Sequence, residues 1–528
     1  MEKKMKEKFK ELLQKDGVYF CTAFALLIVT LLITTTTYHG EDFSLQLPGA
    51  TAFGSVSWIV ILVLGISGIF VFRNVDRKKI SLEKIYLIMI IPLGIMYMIA
   101  NPLGKVPDED FHARKAMAIS KGNFFSHADE NGEAVDNLNS KVAELVTRST
   151  SSYEEAWNRL NMQETDEEVE MEYSTMALYA PICHLPQAIG MFLARIFGEG
   201  VSVQCYAARL ANFAVAVFLI YNAIKLVPFK KNVVFFLAML PITLNEIASM
   251  AADALAISMC LFYICYILYL KYDVNKNQIN KKDIIILTIS SIIVALCKIV
   301  YIPLVLLLLI LPKEKFETSK KKNIITISII VGAILLNLVW LIYCSRFLVT
   351  FNPGVDSKLQ VKYILTHPIT YILTAFRTLN TYGQMFILHL MGEGIGSFNT
   401  QASVLFVFPC IVITSMLFFV NDEKDIKIDL FSKLVCLFIF IAIVALIYTS
   451  LYVQWTEAMK PIIMGIQARY FLPILLLTAI IFNNNKIIFT EKLSYRYILL
   501  FLLFLNLNAL SCIAYTYFNG WVIDYYVK

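Results

Sequence analysis

Three groups of polar residues stand out in a chain that is otherwise strongly apolar. The first is Asp108, Glu109 and Asp110, followed closely by His112 and Arg114, in NPLGKVPDEDFHARKA. Packed carboxylates raise one another's pKa or share a cation, which suits a general base or a metal ligand. The plainer reading is a solvated acidic start to a loop. Against it stands the position directly after an apolar run, where carboxylates at the headgroup border are costly without a purpose. The second is Asp253, in NEIASMAADALAISM between two apolar runs. An ionisable group at membrane depth is a functional candidate, and Asp also suits a helix N-cap. The third is Lys298, in ALCKIVYIPL, with Gln467, Arg469 and Tyr470 of GIQARYFLP as a comparable group. An ammonium holds phosphate as a point charge, and a guanidinium holds it with two parallel bonds. Both also read as long side chains reaching for the membrane interface.

The elements that carry these residues follow from composition. Of 528 residues, 58% are hydrophobic and 16% charged, whereas soluble domains average about a quarter charged. Apolar runs of roughly 15 to 25 residues, the length that crosses a bilayer as helix, alternate with short Lys-rich stretches. A bilayer offers the backbone no water, so helices are expected, and the period-2 pattern of a membrane barrel is absent. The fold class is therefore an all-α integral membrane protein with about 13 spanning helices. The ten cysteines mostly fall within apolar runs, as small buried hydrophobes rather than a disulfide framework. The net charge of +6 sits beside the spans, where it sets orientation, and does not imply nucleic-acid binding.

Residues 1–17 read as a basic cytoplasmic amphipathic segment. Residues 18–100 read as three transmembrane helices, with the N-terminus in the cytoplasm. Residues 101–203 form the first large external loop, with interfacial helices. Within it Tyr173–Gly198 is apolar but holds Pro181, Pro186, His184 and Gln187. If it crossed, the later basic loops KYDVNKNQINKKD and PKEKFETSKKKN would face outside, against the positive-inside rule. It is therefore expected to stay on the outer face. Residues 204–528 read as the transmembrane core, with external segments near 345–401 and 452–469 and an external C-terminus. The expected spans there are Gln204–Ile224, Val233–Ala248, Asp253–Leu270, Asp283–Cys297, Ile299–Leu311, Ile324–Cys344, Ala402–Val420, Leu434–Leu451, Tyr470–Phe482 and Tyr497–Tyr517. This parity gathers the three polar groups on the external side. The frequent Ile, Lys and Asn suit a low-GC bacterium, hence a bacterial plasma membrane.

The sequence resembles a bacterial membrane family catalogued as domain of unknown function 2142. PDEDFHARKA is similar to that family's PDE-x-x-H-x-x-R-A signature. YAPICHLPQAIG with ARLANF, LPITLNEIASMAADAL, ALCKIVYIPL and QARYFLP resemble its later blocks, in the same order, so the likeness runs from about Asn101 to Leu475. Lys115 stands where the signature has Arg, with Arg114 one residue earlier. The family in turn resembles the C-type (GT-C) glycosyltransferases, which transfer a sugar from a polyprenyl-phosphate carrier on the outer face of the membrane. By that resemblance Asp108 or Glu109 matches the catalytic carboxylate of the first external loop, and Asp253 a second acidic residue at a later turn. The resemblance implies a polyprenyl-phosphate-linked sugar as donor and a surface glycan or wall polymer as acceptor. His112, Arg114, Lys298, Gln467, Arg469 and Tyr470 are then the candidate substrate and phosphate contacts. The cofactor is left open, with a divalent cation as a candidate and no ligand set assigned. The rival classes are a transporter or flippase for a lipid-linked glycan, and a non-catalytic scaffold of envelope assembly.

Overall fold

The computed structural model of the chain describes residues 2–39, 50–75, 80–147, 159–347, 354–420, 426–484 and 495–518, with Asn352 and Glu423. The C-terminal NGWVIDYYVK and most of the loop expected between the first two spans lie outside the described residues. Among those described, eight helices are long and apolar enough to cross a membrane. They are Asp16–Thr37, Gly54–Arg73, Leu82–Ala100, Val201–Leu226, Asp253–Tyr272, Ser319–Phe347, Leu430–Gln454 and Tyr495–Tyr517.

The other five expected spans are helical but shorter or broken, so the expected count is not reached by helices of full length. The Val233–Ala248 run divides into Lys231–Ala238 and Pro241–Ile247. Pro241 has no N–H to continue a helix and suits the first turn of a new one. The Thr243 hydroxyl donates to the Leu237 carbonyl at the break, at 2.7 Å. From Val233 onward both pieces are buried, which is the setting in which broken backbone is tolerated at membrane depth. Lys281–Cys297 has 17 residues and Val404–Phe419 has 16. Ile299–Ile310 is a 12-residue 3-10 helix containing Pro303; its rise of about 2.0 Å per residue makes it longer than an α-helix of the same length. Ala468–Ile474 is another 3-10 piece, containing Pro473, and runs into the α-helix Leu475–Ile481.

Tyr173–Gly198 is likewise cut into Ser174–Ala177, Pro181–His184 and Leu185–Ile196. Its longest piece, 12 residues, covers about 18 Å at 1.5 Å per residue, well short of the hydrocarbon thickness. It lies against Val201–Leu226 at close range: a Cβ added at Gly190 would sit 2.4 Å from the Ala207 carbonyl oxygen. Small residues allow backbones to approach this closely. Two features of the polar segments were not expected. The first long loop holds an antiparallel three-stranded sheet of His127–Ala128, Ala134–Asn139 and Glu168–Glu172, with Ala134–Asn139 in the middle. The 345–401 segment holds a 24-residue helix, Pro368–Met391, which buries Thr374 and Thr378 and leaves Ile369, Ile372 and Phe376 exposed.

The first two helices pack on the last. Tyr19 donates to the Ile69 carbonyl at 2.7 Å, while Arg73 and Arg496 converge on Asp16 at 2.9 and 3.1 Å. Contacts between helix ends sort the bundle into two sides. Lys271 meets Asp429 at 2.6 Å, Lys230 donates to the Phe418 carbonyl at 2.8 Å, and Lys433 to the Asn483 carbonyl at 2.6 Å. These contacts tie the Lys-rich connections together at one end. The starts of Asp253–Tyr272 and Ala468–Ile474, and the end of Lys281–Cys297, meet at the other, where the polar groups singled out above gather.

Candidate functional site

Leu82–Ala100 ends at Asn101, and the chain turns through PLGKVPD before the Glu109–Ser120 helix begins. Asp108 occupies the left-handed region, φ 61° and ψ 7°, which Asp and Asn tolerate better than other side chains. Its carboxylate is paired with Arg469. Arg469 begins its own helix deep inside the protein and is the hub of the cluster. It donates to the Pro107 carbonyl at 2.9 Å and lies 3.4 Å from Glu246 and 3.4 Å from Asp253. Asp253 also pairs with Lys298 at 3.3 Å, and the Lys298 ammonium stands 4.0 Å above the Tyr470 ring. Three carboxylates thus face two cations. The interior members are closed off, with Arg469 and Glu246 at 1% side-chain exposure and Asp253 at 5%, whereas Asp108 is 41% exposed and Lys298 19%. The members of the cluster that reach the surface are therefore one carboxylate, Asp108, and one ammonium, Lys298.

The structure separates the residues that the sequence put together. Glu109 is turned away from Arg469 and fully buried. It accepts from Arg209 Nε at 2.8 Å and Nη2 at 2.6 Å, from the Met250 amide at 2.9 Å and from the Gly104 amide at 3.0 Å. Arg209 also donates to the carbonyls of Met98, Asn101 and Pro102. Glu109 thus pins the turn before the helix to Val201–Leu226, and its oxygens are occupied. Arg114 faces the sheet: it donates to the Glu172 carbonyl at 2.7 Å, lies over Phe111 and is 3.9 Å from Asp110. Burial pushes the Asp110 carboxyl up from its ordinary value. Lys115, at the position of the signature's Arg, donates to Ser126 at 2.7 Å, and burial pulls it down to about 8. Gln467 accepts from Arg469 Nε at 2.7 Å and orients it. His112, fully buried, contacts His184 across 2.9 Å. Burial lowers His112 to about 4 against the pull of Asp253 and Asp108, and holds His184 well below its ordinary value as well, so both rings are neutral at neutral pH.

Sequence reading missed Glu246 and Arg209 as members of this end of the protein. Both were visible as ionisable residues in apolar surroundings, Glu246 in LPITLNEIASM and Arg209 in ARLANF, which is a signal of a buried partner. Among the described residues no three His, Cys, Asp or Glu side chains are grouped so as to hold a metal ion.

A bundle of apolar helices with a buried ion cluster at the end away from its Lys-rich loops defines a polytopic membrane protein. The chain belongs to the family described as predicted membrane protein (DUF2142), whose model matches residues 91–478. The match covers every member of the ion cluster. No curated protein and no solved structure matches the chain.

Proposed function

We propose that the protein is a glycosyltransferase that moves a sugar from a polyprenyl-phosphate-linked donor to a hydroxyl of a surface glycan or wall polymer, at the outer face of a bacterial plasma membrane. The observation that carries this reading is Asp108, an open carboxylate held by the buried Arg469, whose second partner Asp253 holds the partly open ammonium of Lys298. Asp108 takes the proton of the acceptor hydroxyl. That oxygen forms a bond to the anomeric carbon, and the bond from this carbon to the carrier phosphate breaks, the phosphate leaving with the electron pair. Lys298 meets the leaving phosphate, because a fixed cation where charge develops lowers the barrier. Arg469, enclosed by Asp108, Glu246 and Asp253, positions Asp108 rather than binding substrate. Glu109 is given a structural part. The outer-face assignment rests on the Lys-rich loops at the opposite end, which the positive-inside rule places in the cytoplasm.

The test is transfer of labelled sugar from a polyprenyl-phosphate donor to envelope polymer by the purified protein in vesicles. Sugar on the polymer is the expected result. Movement of the intact donor across the bilayer without transfer identifies a flippase, and neither activity favours the scaffold.

A further inference from the structure

The contact between His112 and His184 has two open ends. His112 Nδ1 and His184 Nε2 are 2.9 Å apart, both rings are fully buried, and the outer nitrogens, His112 Nε2 and His184 Nδ1, have no partner among the described residues. A buried polar atom without a partner is costly, and a bound water, ion or ligand is one way in which its bonding is completed. The His112 ring lies next to the ion cluster: the Tyr179 ring packs edge-on against it at 5.3 Å, and the Lys298 ammonium stands 5.6 Å from the centre of that same Tyr179 ring.

Two tautomeric arrangements share the single proton between the rings. Either His112 donates from Nδ1 and its Nε2 is a bare lone pair, or His184 donates from Nε2 and His112 carries its own proton on Nε2. Only the second arrangement gives His112 Nε2 a proton to donate, which an accepting oxygen there requires. Neutrality at pH 7 keeps each ring with one proton, as the pair requires.

We propose that His112 is a substrate-binding residue whose Nε2–H donates to an oxygen of the carrier phosphate, and that His184 is a positioning residue that fixes the tautomer. The proposal rests on the glycosyltransferase reading for the identity of the phosphate. Lys298 supplies charge to that phosphate and His112 supplies direction, since an ammonium on a flexible stem specifies no angle.

The experiment uses the full chain in nanodiscs with nitrogen-15 histidine and a short-chain polyprenyl phosphate as probe. Nuclear magnetic resonance should find both rings as Nε2–H tautomers, with coupling from His184 Nε2–H to His112 Nδ1 and a shift of His112 Nε2 when the probe is added. A His112 protonated on Nδ1, or no response to the probe, overturns the proposal. His184→Gln keeps a donor in place of Nε2 and should bind the probe within about twofold of wild type. His184→Phe should weaken binding by about tenfold, the scale of a lost hydrogen bond to a charged group. Equal binding by the two variants overturns the positioning role. Should wild type bind the probe with these spectra and yet transfer no sugar, the binding site stands and the transferase reading fails.

Discussion

Arg209 grips Glu109 with two hydrogen bonds, 2.8 and 2.6 Å long, between side chains that are both fully buried and 100 residues apart in the chain. The pair anchors the turn that carries Asp108. Breaking a buried pair by removing one partner leaves an uncompensated charge and costs about 3–5 kcal/mol. Glu109→Gln is therefore expected to fail as a folding variant, with low yield after detergent extraction and a lowered melting temperature. Stable Glu109→Gln protein that has lost only transfer would return Glu109 to the role of base.

Asp108→Asn is expected to behave in the opposite way. Asn tolerates the left-handed backbone that Asp108 occupies, and the side chain is the most open of the cluster. The variant should express and melt close to wild type while transfer falls by about 10²–10⁴, the usual contribution of a general base. Initial rates of labelled-sugar transfer per milligram of folded protein give the comparison. Unchanged transfer removes Asp108 from the chemistry.

The contrast between these adjacent carboxylates marks the limit of what the sequence discloses. Asp108 and Glu109 share a motif and a charge, and only the tertiary placement of Arg209 tells them apart. Arg469 was legible as a cation at a span edge, but its enclosure by Glu246 and Asp253 depends on three segments meeting, which no local pattern records. The long helices were legible because apolar runs bounded by lysines have the length of a bilayer crossing. Pro241 was equally visible, yet hydropathy reads straight through it and joins two helices into one. The three-stranded sheet escaped because HADENGEAVDNLN is polar and its strands are short, as in His127–Ala128. Helix Pro368–Met391 escaped because its apolar face alternates with Thr, Arg and Asn, which dilutes the average that marks a span.

Acid should destabilise the protein through the histidine pair. His112 has an ordinary value of 6.5 and is lowered to about 4 by burial, and His184 is lowered too. Between these values the unfolded chain binds protons that the folded chain does not, so stability rises with pH there. The contribution is complete above about pH 6.5 and is lost as pH falls towards 4. Thermal melts at pH 7.5 and pH 5 should differ more for wild type than for His184→Gln, which removes one of the two titrating rings. An equal acid sensitivity in both proteins would remove the pair as its source.

Lys298 is the cation best placed to meet a substrate. Its ammonium joins Asp253 at 3.3 Å and lies 4.0 Å above the Tyr470 ring, and it is more exposed than Arg469. Lys298→Gln keeps much of the side chain's length and removes the charge. Asp253 keeps Arg469 at 3.4 Å, so the loss of folding stability should be smaller than in Glu109→Gln. The effect should fall on the phosphate-bearing substrate, with the KM for donor raised by about tenfold, equivalent to roughly 1.4 kcal/mol, and the KM for acceptor unchanged. Because the proposed attraction also grows as the phosphate leaves, kcat should fall as well, by a further amount that Lys298→Arg partly restores. Steady-state kinetics with donor and acceptor varied separately distinguish these effects. A change confined to the acceptor KM would place the phosphate elsewhere and leave Lys298 as the partner of Asp253 alone.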